Sequence, residues 1–256
     1  MTKAAGEEGD VRPAIEERPS PNFGPRLGDR PIDLIVLHYT GMPSATGALA
    51  WLCDPRSNVS AHYFVFEDGR TVQLVAEEWR AWHAGVSSWA GDTDVNSRSI
   101  GIEIANAGHD FGAPAFPPEQ IASVVALCRD IMTRRRIGPA GILAHSDVAP
   151  ERKRDPGEAF PWAELAAAGV GRFAPEPVDI AGAIHRVGEF GPAVKQLQEK
   201  LAAFGYRSAP SGVFDWETEL NVAAFQRHHR PARVDGIADM STVRTLDRLL
   251  RASSTT

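Results

Sequence analysis

Between residues 31 and 170 the apolar positions fall into short runs of two kinds. Ile32-Asp33-Leu34-Ile35-Val36-Leu37-His38 is nearly continuous and rich in β-branched residues, the pattern of a strand covered on both faces, and Thr40-Gly41 stops it. His62-Tyr63-Phe64-Val65-Phe66 and Thr71-Val72-Gln73-Leu74-Val75 flank Glu67-Asp68-Gly69-Arg70, which predicts a hairpin turning at Asp-Gly. A further strand is predicted from Ser99 to Ala105, where alternation sends Glu103 to the face opposite Ile102 and Ile104. Gly141-Ile142-Leu143-Ala144-His145 has the same buried character. From Pro118 to Arg136 the period changes: Ile121, Val124, Val125, Cys128 and Ile131 recur at helical spacing, with proline at the start and arginines at the end, as the helix dipole favours. Strands and helices mixed in this way predict an α/β fold, a mixed central sheet flanked by helices.

The segments on either side read differently. Residues 1–30 are rich in proline, glycine and charge and are expected to form a flexible arm. Residues 171–184, with two glycines and two prolines, are expected to be a linker between a first domain over 31–170 and a second unit over 185–252. That unit shows three short helical patterns, Pro192 to Phe204, Trp216 to His229 and Asp239 to Leu250. A weak repeat runs through it: Val194-Lys195-Gln196-Leu197-Gln198 is echoed by Val222-Ala223-Ala224-Phe225-Gln226, and Gly212-Val213-Phe214-Asp215 by Asp235-Gly236-Ile237-Ala238-Asp239. A small C-terminal three-helix module of this size is near the limit of what one core can stabilise. If the connection is a linker, cutting near Pro175 should leave an N-terminal part that folds alone.

Composition narrows the function. Apolar residues at 43% and charged residues at 23% suit packed cores. A formal charge of −6 offers no basic footprint, so nucleic acid is not expected as a partner. No window approaches the roughly 18 apolar residues of a membrane helix. The first twenty residues also lack the apolar run of a secretory signal, which predicts a cytoplasmic protein, the alternative being the periplasm if an export signal precedes this chain. Cys53 and Cys128, each in an apolar stretch, are expected to be core thiols rather than a disulfide. His38, His145 and Asp155 sit at strand ends or in loops, and two histidines with one carboxylate are a known set for a zinc ion that keeps a fourth place for water. Spacing alone leaves this open, because a strand-end histidine is commonly a core residue, an aspartate before proline is commonly a turn residue, and no H-E-x-x-H signature is present.

Five blocks shift the balance: Ile35-Val36-Leu37-His38-Tyr39-Thr40, Ser60-Ala61-His62-Tyr63, Ala81-Trp82-His83-Ala84-Gly85, Ser99-Ile100-Gly101-Ile102-Glu103, and the run from His145 to Gly157. In this order they resemble the type 2 N-acetylmuramoyl-L-alanine amidases, in particular the AmpD/AmiD branch, over residues 31 to 165. The last block is the most specific, since it sets Lys153 and Asp155 eight and ten residues after His145. The resemblance implies a zinc hydrolase that cuts the amide between N-acetylmuramic acid, or its 1,6-anhydro form, and the L-alanine of peptidoglycan stem peptides, in cell-wall recycling. It implies Zn2+ on His38, His145 and Asp155, Glu103 as catalytic acid or base, and Lys153 as the cation facing the developing oxyanion. His83 is expected to line the substrate groove, and His62 to prop the site or lie in the core. Phage lysozyme-like members carry a tyrosine where this chain has Ala61, which leaves Glu103 as the main proton carrier.

Residues 185–251 resemble the peptidoglycan-binding domain 1 family, implying muropeptides or murein as partners. His228 and His229 have no metal partner in sequence and are expected to face solvent. Two other functions fit the same blocks: an exported amidase that remodels polymeric wall, and a muropeptide-binding protein that does not cut. The presence of both histidines, the aspartate, Glu103 and Lys153 favours hydrolysis over binding alone.

Overall fold

The computed structural model describes residues 15–175, 182 and 184–253. In chain order its elements are β1 (Ile15–Glu17), β2 (Phe23–Pro25), β3 (Leu34–Tyr39), α1 (Ala45–Leu52), β4 (Tyr63–Val65), β5 (Thr71–Gln73), β6 (Trp79–Ala81), α2 (Val95–Arg98), β7 (Ser99–Ile104), α3 (Pro118–Arg135), β8 (Ile142–Ala144), α4 (His145–Val148), α5 (Trp162–Ala167), α6 (Pro192–Phe204), α7 (Trp216–His229) and α8 (Met240–Ser253). Six strands form one mixed sheet in the order β1-β5-β4-β7-β3-β8. The pairing of β4 with β5 is antiparallel, as the Asp-Gly turn requires, and the other pairings are parallel. Gly69 at that turn has φ +81°, and a Cβ there would stand 2.8 Å from the Glu119 carbonyl oxygen, so the hairpin tip can lie against the start of α3 only as glycine.

The two sheet faces have different coverings. Ile35, Leu37, Ile100, Ile102 and Ile104 pack on Ile121, Val124, Leu127, Cys128 and Ile131 of α3, the stripe that periodicity predicts. On the opposite face, Phe64 and Val72 lie under Ala48, Leu49 and Leu52 of α1. The Ser44 side chain caps α1 by accepting from Gly47 N at 3.1 Å. Both cysteines are free thiols, Cys128 buried and Cys53 partly exposed.

The expectation of a flexible arm over 1–30 is corrected for its described part; residues 1–14 lie outside the described residues. β1 adds to the edge of the sheet beside β5, and β2 pairs with β6 in a separate two-stranded ribbon. Arg26 then enters the domain and donates to the backbone oxygens of Glu77, Asn96, Ser97 and Ser99 at 2.9–3.0 Å. Pro, Gly and charge suggest solvent, but here the polar side chains satisfy carbonyls that neighbouring loops would otherwise bury unpaired.

The three C-terminal helices follow the repeat seen in the sequence, and the repeat has a physical basis. Gln198 of α6 accepts from Gly212 N and donates to Val213 O and Thr218 Oγ1, while Gln226 of α7 accepts from Gly236 N and donates to Ile237 O and Thr242 Oγ1. Each buried glutamine thus fastens one helix to the turn and first residues of the next. The module does not hang from the end of the chain. Leu34, Val36, Trp89 and Val148 share one core with Leu197, Leu201, Phe204 and Phe225. Ala174, within the span expected to be a linker, joins that core, while 176–181 and 183 lie outside the described residues. The solvent-facing placement of His228 and His229 is likewise corrected: both are buried, because α7 packs against α4.

Candidate active site

The carboxyl ends of parallel strands leave a crevice in open α/β sheets, and the predicted site residues gather there. Register pairs His38 of β3 with Glu103 of β7, and Glu103 with Phe64 of β4, so the three lie in a row on one face. His145 is the first residue of α4, directly after β8. Asp155 follows in a loop tied back to that helix, since Ser146 N donates to Asp155 O at 3.1 Å. One ligand atom each from His38, His145 and Asp155 lies within 4.8 Å of the others, all three residues buried. His38 Nδ1 is 2.8 Å from His145 Nδ1 and 3.2 Å from Asp155 Oδ2, and His145 Nδ1 is 2.9 Å from Asp155 Oδ2.

The surrounding hydrogen bonds fix which ring atoms carry protons. The Ser99 hydroxyl donates to the Val95 carbonyl at 2.6 Å, an obligatory acceptor, so its oxygen accepts from His83 Nε2 at 3.2 Å. His83 Nδ1 must then accept from His38 Nε2 at 3.1 Å, which leaves His38 Nδ1 a bare lone pair. His145 Nε2 donates to the Ala84 carbonyl at 3.1 Å, which turns its Nδ1 towards Asp155. Burial, with His145 next, lowers His38 to about 4 and keeps it neutral. Burial alone would push the Asp155 carboxyl up, but His145 and His38 outweigh it and hold the group well below the usual carboxylate range. Two ring nitrogens and one carboxylate oxygen therefore converge. Two nitrogens with one carboxylate oxygen are a donor set that suits zinc.

The His83 ring borders the cleft, and both its nitrogens are engaged, one with His38 and one with Ser99. A Cβ at residue 101 would stand 2.3 Å from the His83 ring, so Gly101 supplies the space that directs His83 towards His38. His62 is a buried support: its Nδ1 accepts from Gly101 N at 3.0 Å, and burial, with Arg26 next, lowers it to about 3.

Beside the cluster opens a cleft of about 460 Å³ bordered by Trp51, Trp82, Glu103, Arg152 and Lys153 among others. Glu103 is partly exposed to it, yet its Oε2 is occluded and has no hydrogen-bond partner. Burial, reinforced by the Asp155 charge, pushes its pKa well above the usual value, while Lys153 acts in the opposite sense. Ala61 is fully buried and offers no hydroxyl, which leaves Glu103 as the carboxyl facing the cleft at this point. Two contributors escaped the sequence. Ser99 ends the chain of hydrogen bonds that starts at His38, and Arg152 holds the Ala84 and Val86 carbonyls that border the site. A serine opening a strand and an arginine in a basic run carry no pattern that marks these contacts.

Comparison with known proteins agrees with this geometry. The profile of the N-acetylmuramoyl-L-alanine amidase family matches residues 28–158, and that of a peptidoglycan binding domain matches 190–246. The N-acetylmuramoyl-L-alanine amidase AmiD of Escherichia coli K12 is 38% identical over 233 residues, covering 86% of this chain and 82% of that protein. A solved complex of the E. coli enzyme with the substrate anhydro-N-acetylmuramic acid-L-Ala-D-gamma-Glu-L-Lys is similar at a TM-score of 0.73 and 36% identity, covering 92% of this chain and 93% of that one. The crystal structure of AmpDh3 from Pseudomonas aeruginosa is similar at a TM-score of 0.72 and 29% identity, covering 99% and 100%.

Proposed function

Since the chain belongs to the N-acetylmuramoyl-L-alanine amidases, we propose that it uses zinc to hydrolyse the amide between 1,6-anhydro-N-acetylmuramic or N-acetylmuramic acid and the L-alanine of stem peptides. The observation that carries the proposal is the meeting of three potential metal ligands, His38 Nδ1, His145 Nδ1 and Asp155 Oδ2, beside Glu103 and Lys153 in one cleft. His38, His145 and Asp155 would hold the ion, which would supply Lewis acidity and a water of lowered pKa. His83, through Ser99, keeps the His38 ring in the tautomer that presents Nδ1. Glu103 takes a proton from the attacking water and passes it to the leaving alanine nitrogen, a task suited to a carboxyl whose pKa is raised. Lys153 places a fixed positive charge where the carbonyl oxygen becomes negative.

Support for the anhydro sugar comes from the substrate in the E. coli complex. We extend the reading to cell-wall recycling in the cytoplasm, with soluble anhydro-muropeptides as the favoured substrate. A second reading, polymeric wall as substrate, is favoured by the match of residues 190–246 to a peptidoglycan binding domain. Mass spectrometry of products from an anhydro-muropeptide and from intact sacculi, before and after chelation, tests both. The expected result is release of the intact stem peptide, loss of activity on chelation and recovery with zinc. Full activity after thorough chelation ends the zinc reading, and faster release from sacculi than from the soluble fragment ends the recycling reading.

A further inference from the structure

Asp147 lies two residues along α4 from His145 and is 1% exposed. Its carboxylate accepts three hydrogen bonds. Ala144 N, at the start of α4, donates to Oδ2 at 2.8 Å. The other two donors belong to the C-terminal module: Tyr206 Oη donates to Oδ1 at 2.7 Å, and His228 Nδ1 to Oδ2 at 2.6 Å. The His228 ring is itself fixed, stacked on Trp162 with centroids 3.7 Å apart and on His229 at 3.9 Å. A buried carboxylate that lost two of its three donors would have to move or find water, because leaving it undersolvated is costly.

Whatever moves Asp147 moves two of the three ligands that meet at the candidate metal site. The α4 helix is a single turn with His145 as its first residue. Ser146 N holds Asp155 O, Ala149 N holds His145 O, and Lys153 N holds Ala149 O. We infer that Tyr206 and His228 are positioning residues for the metal site: through Asp147 they fix the turn that aims His145 and, through Ser146, the loop that carries Asp155. The module therefore has a second task besides any contact with peptidoglycan, and the amidase site is completed by residues distant from it in sequence. This inference rests on the metal reading above, and its test keeps the two apart.

The test uses the full-length chain and two substitutions, Tyr206→Phe and His228→Phe, each of which removes a hydrogen-bond donor while keeping an aromatic ring. Zinc affinity is measured by competition with a chromogenic chelator, and amide exchange at Ala144 and Ala149 is followed in the metal-free protein. The expected result is zinc binding weakened by about 10–100-fold, the usual effect of losing a group that orients a ligand, with loss of exchange protection at both amides. Arg207→Ala serves as the control: it cuts the exposed interface pair with Glu151 and should lower thermal stability without changing either readout. Unchanged zinc affinity and unchanged exchange in Tyr206→Phe overturn the inference. If His228→Phe fails to fold, Tyr206→Phe, which loses a single oxygen atom, still decides it. Should the unsubstituted chain take up no zinc, the metal reading fails, while the exchange measurement still reports whether the module holds α4.

Discussion

At the scale of single residues, a divalent ion is expected to gather what the sequence scatters. Replacing Asp155 by Ala removes the only carboxylate of the three and should abolish zinc binding and activity, measured as metal content and turnover; a fully active variant would end the assignment. Glu103 gives a sharper test, because its occluded Oε2 has no hydrogen-bond partner. Glu103→Gln should keep zinc and lose about 10²–10⁴ in rate. Its effect on stability should have the opposite sign to that of a lost ion pair. The folded carboxyl holds its proton to higher pH than the unfolded one, so the metal-free protein loses stability as pH rises from 4.5 towards the raised value. Gln removes that penalty, and the metal-free variant should melt higher than its parent at pH 8 and equally near pH 4; a lower melting point at pH 8 would contradict this. His38, His145, Asp155 and Glu103 were legible because a family pattern names them, whereas the use of His83 was not. Which way that ring turns depends on the missing Cβ of Gly101 and on the Ser99 hydroxyl, neither of which leaves a trace in spacing.

Among the elements, the longer helices were the most legible. The long α3 and the pair α6 and α7 were placed to within a residue, since an apolar stripe repeats several times along each. β1, β2 and β6, with three residues each, and α4, with four, are too short for any period to show. They exist because tertiary partners satisfy them. One such partner is Glu77, just before β6, which is buried and accepts from Tyr63, Arg134 and Arg135 at 2.7–2.9 Å, pinning the end of α3 to the sheet. Burial opposes its ionisation, yet the hydrogen bonds, that of Arg134 foremost, bring its pKa down to about 2. The stability this gives is present above pH 4.5 and lost as pH falls towards 2. Because the arginines are partly exposed, Glu77→Gln should cost more than the roughly 1 kcal/mol of a surface pair and no more than the 3–5 kcal/mol of a fully buried one. Urea unfolding should show that cost at pH 7 and its near disappearance at pH 2; an equal cost at both pH values would mean that charge is not what holds α3.

For the whole molecule, the prolines and glycine after α5 suggested two separable bodies, and the packing leads to a different expectation. Cutting near Pro175 would return Leu34, Val36, Trp89 and Val148 to water, and each large apolar side chain so exposed costs about 1.5–3 kcal/mol. The N-terminal fragment should melt well below the full chain or associate through that face. A monomeric fragment with the parent melting temperature would show that the shared core contributes little. The same packing sets an order in time. Trp89 lies against Gly205, whose φ is +135° and where a Cβ would stand 2.4 Å from the indole. A ribosome makes Trp89 long before it makes Gly205 or the helices that close over the indole. Throughout that interval the nascent amidase sheet has an open flank, so a chain stalled after α5 should be a client of chaperones that bind apolar surface, and release from them should wait on the last helix to be translated.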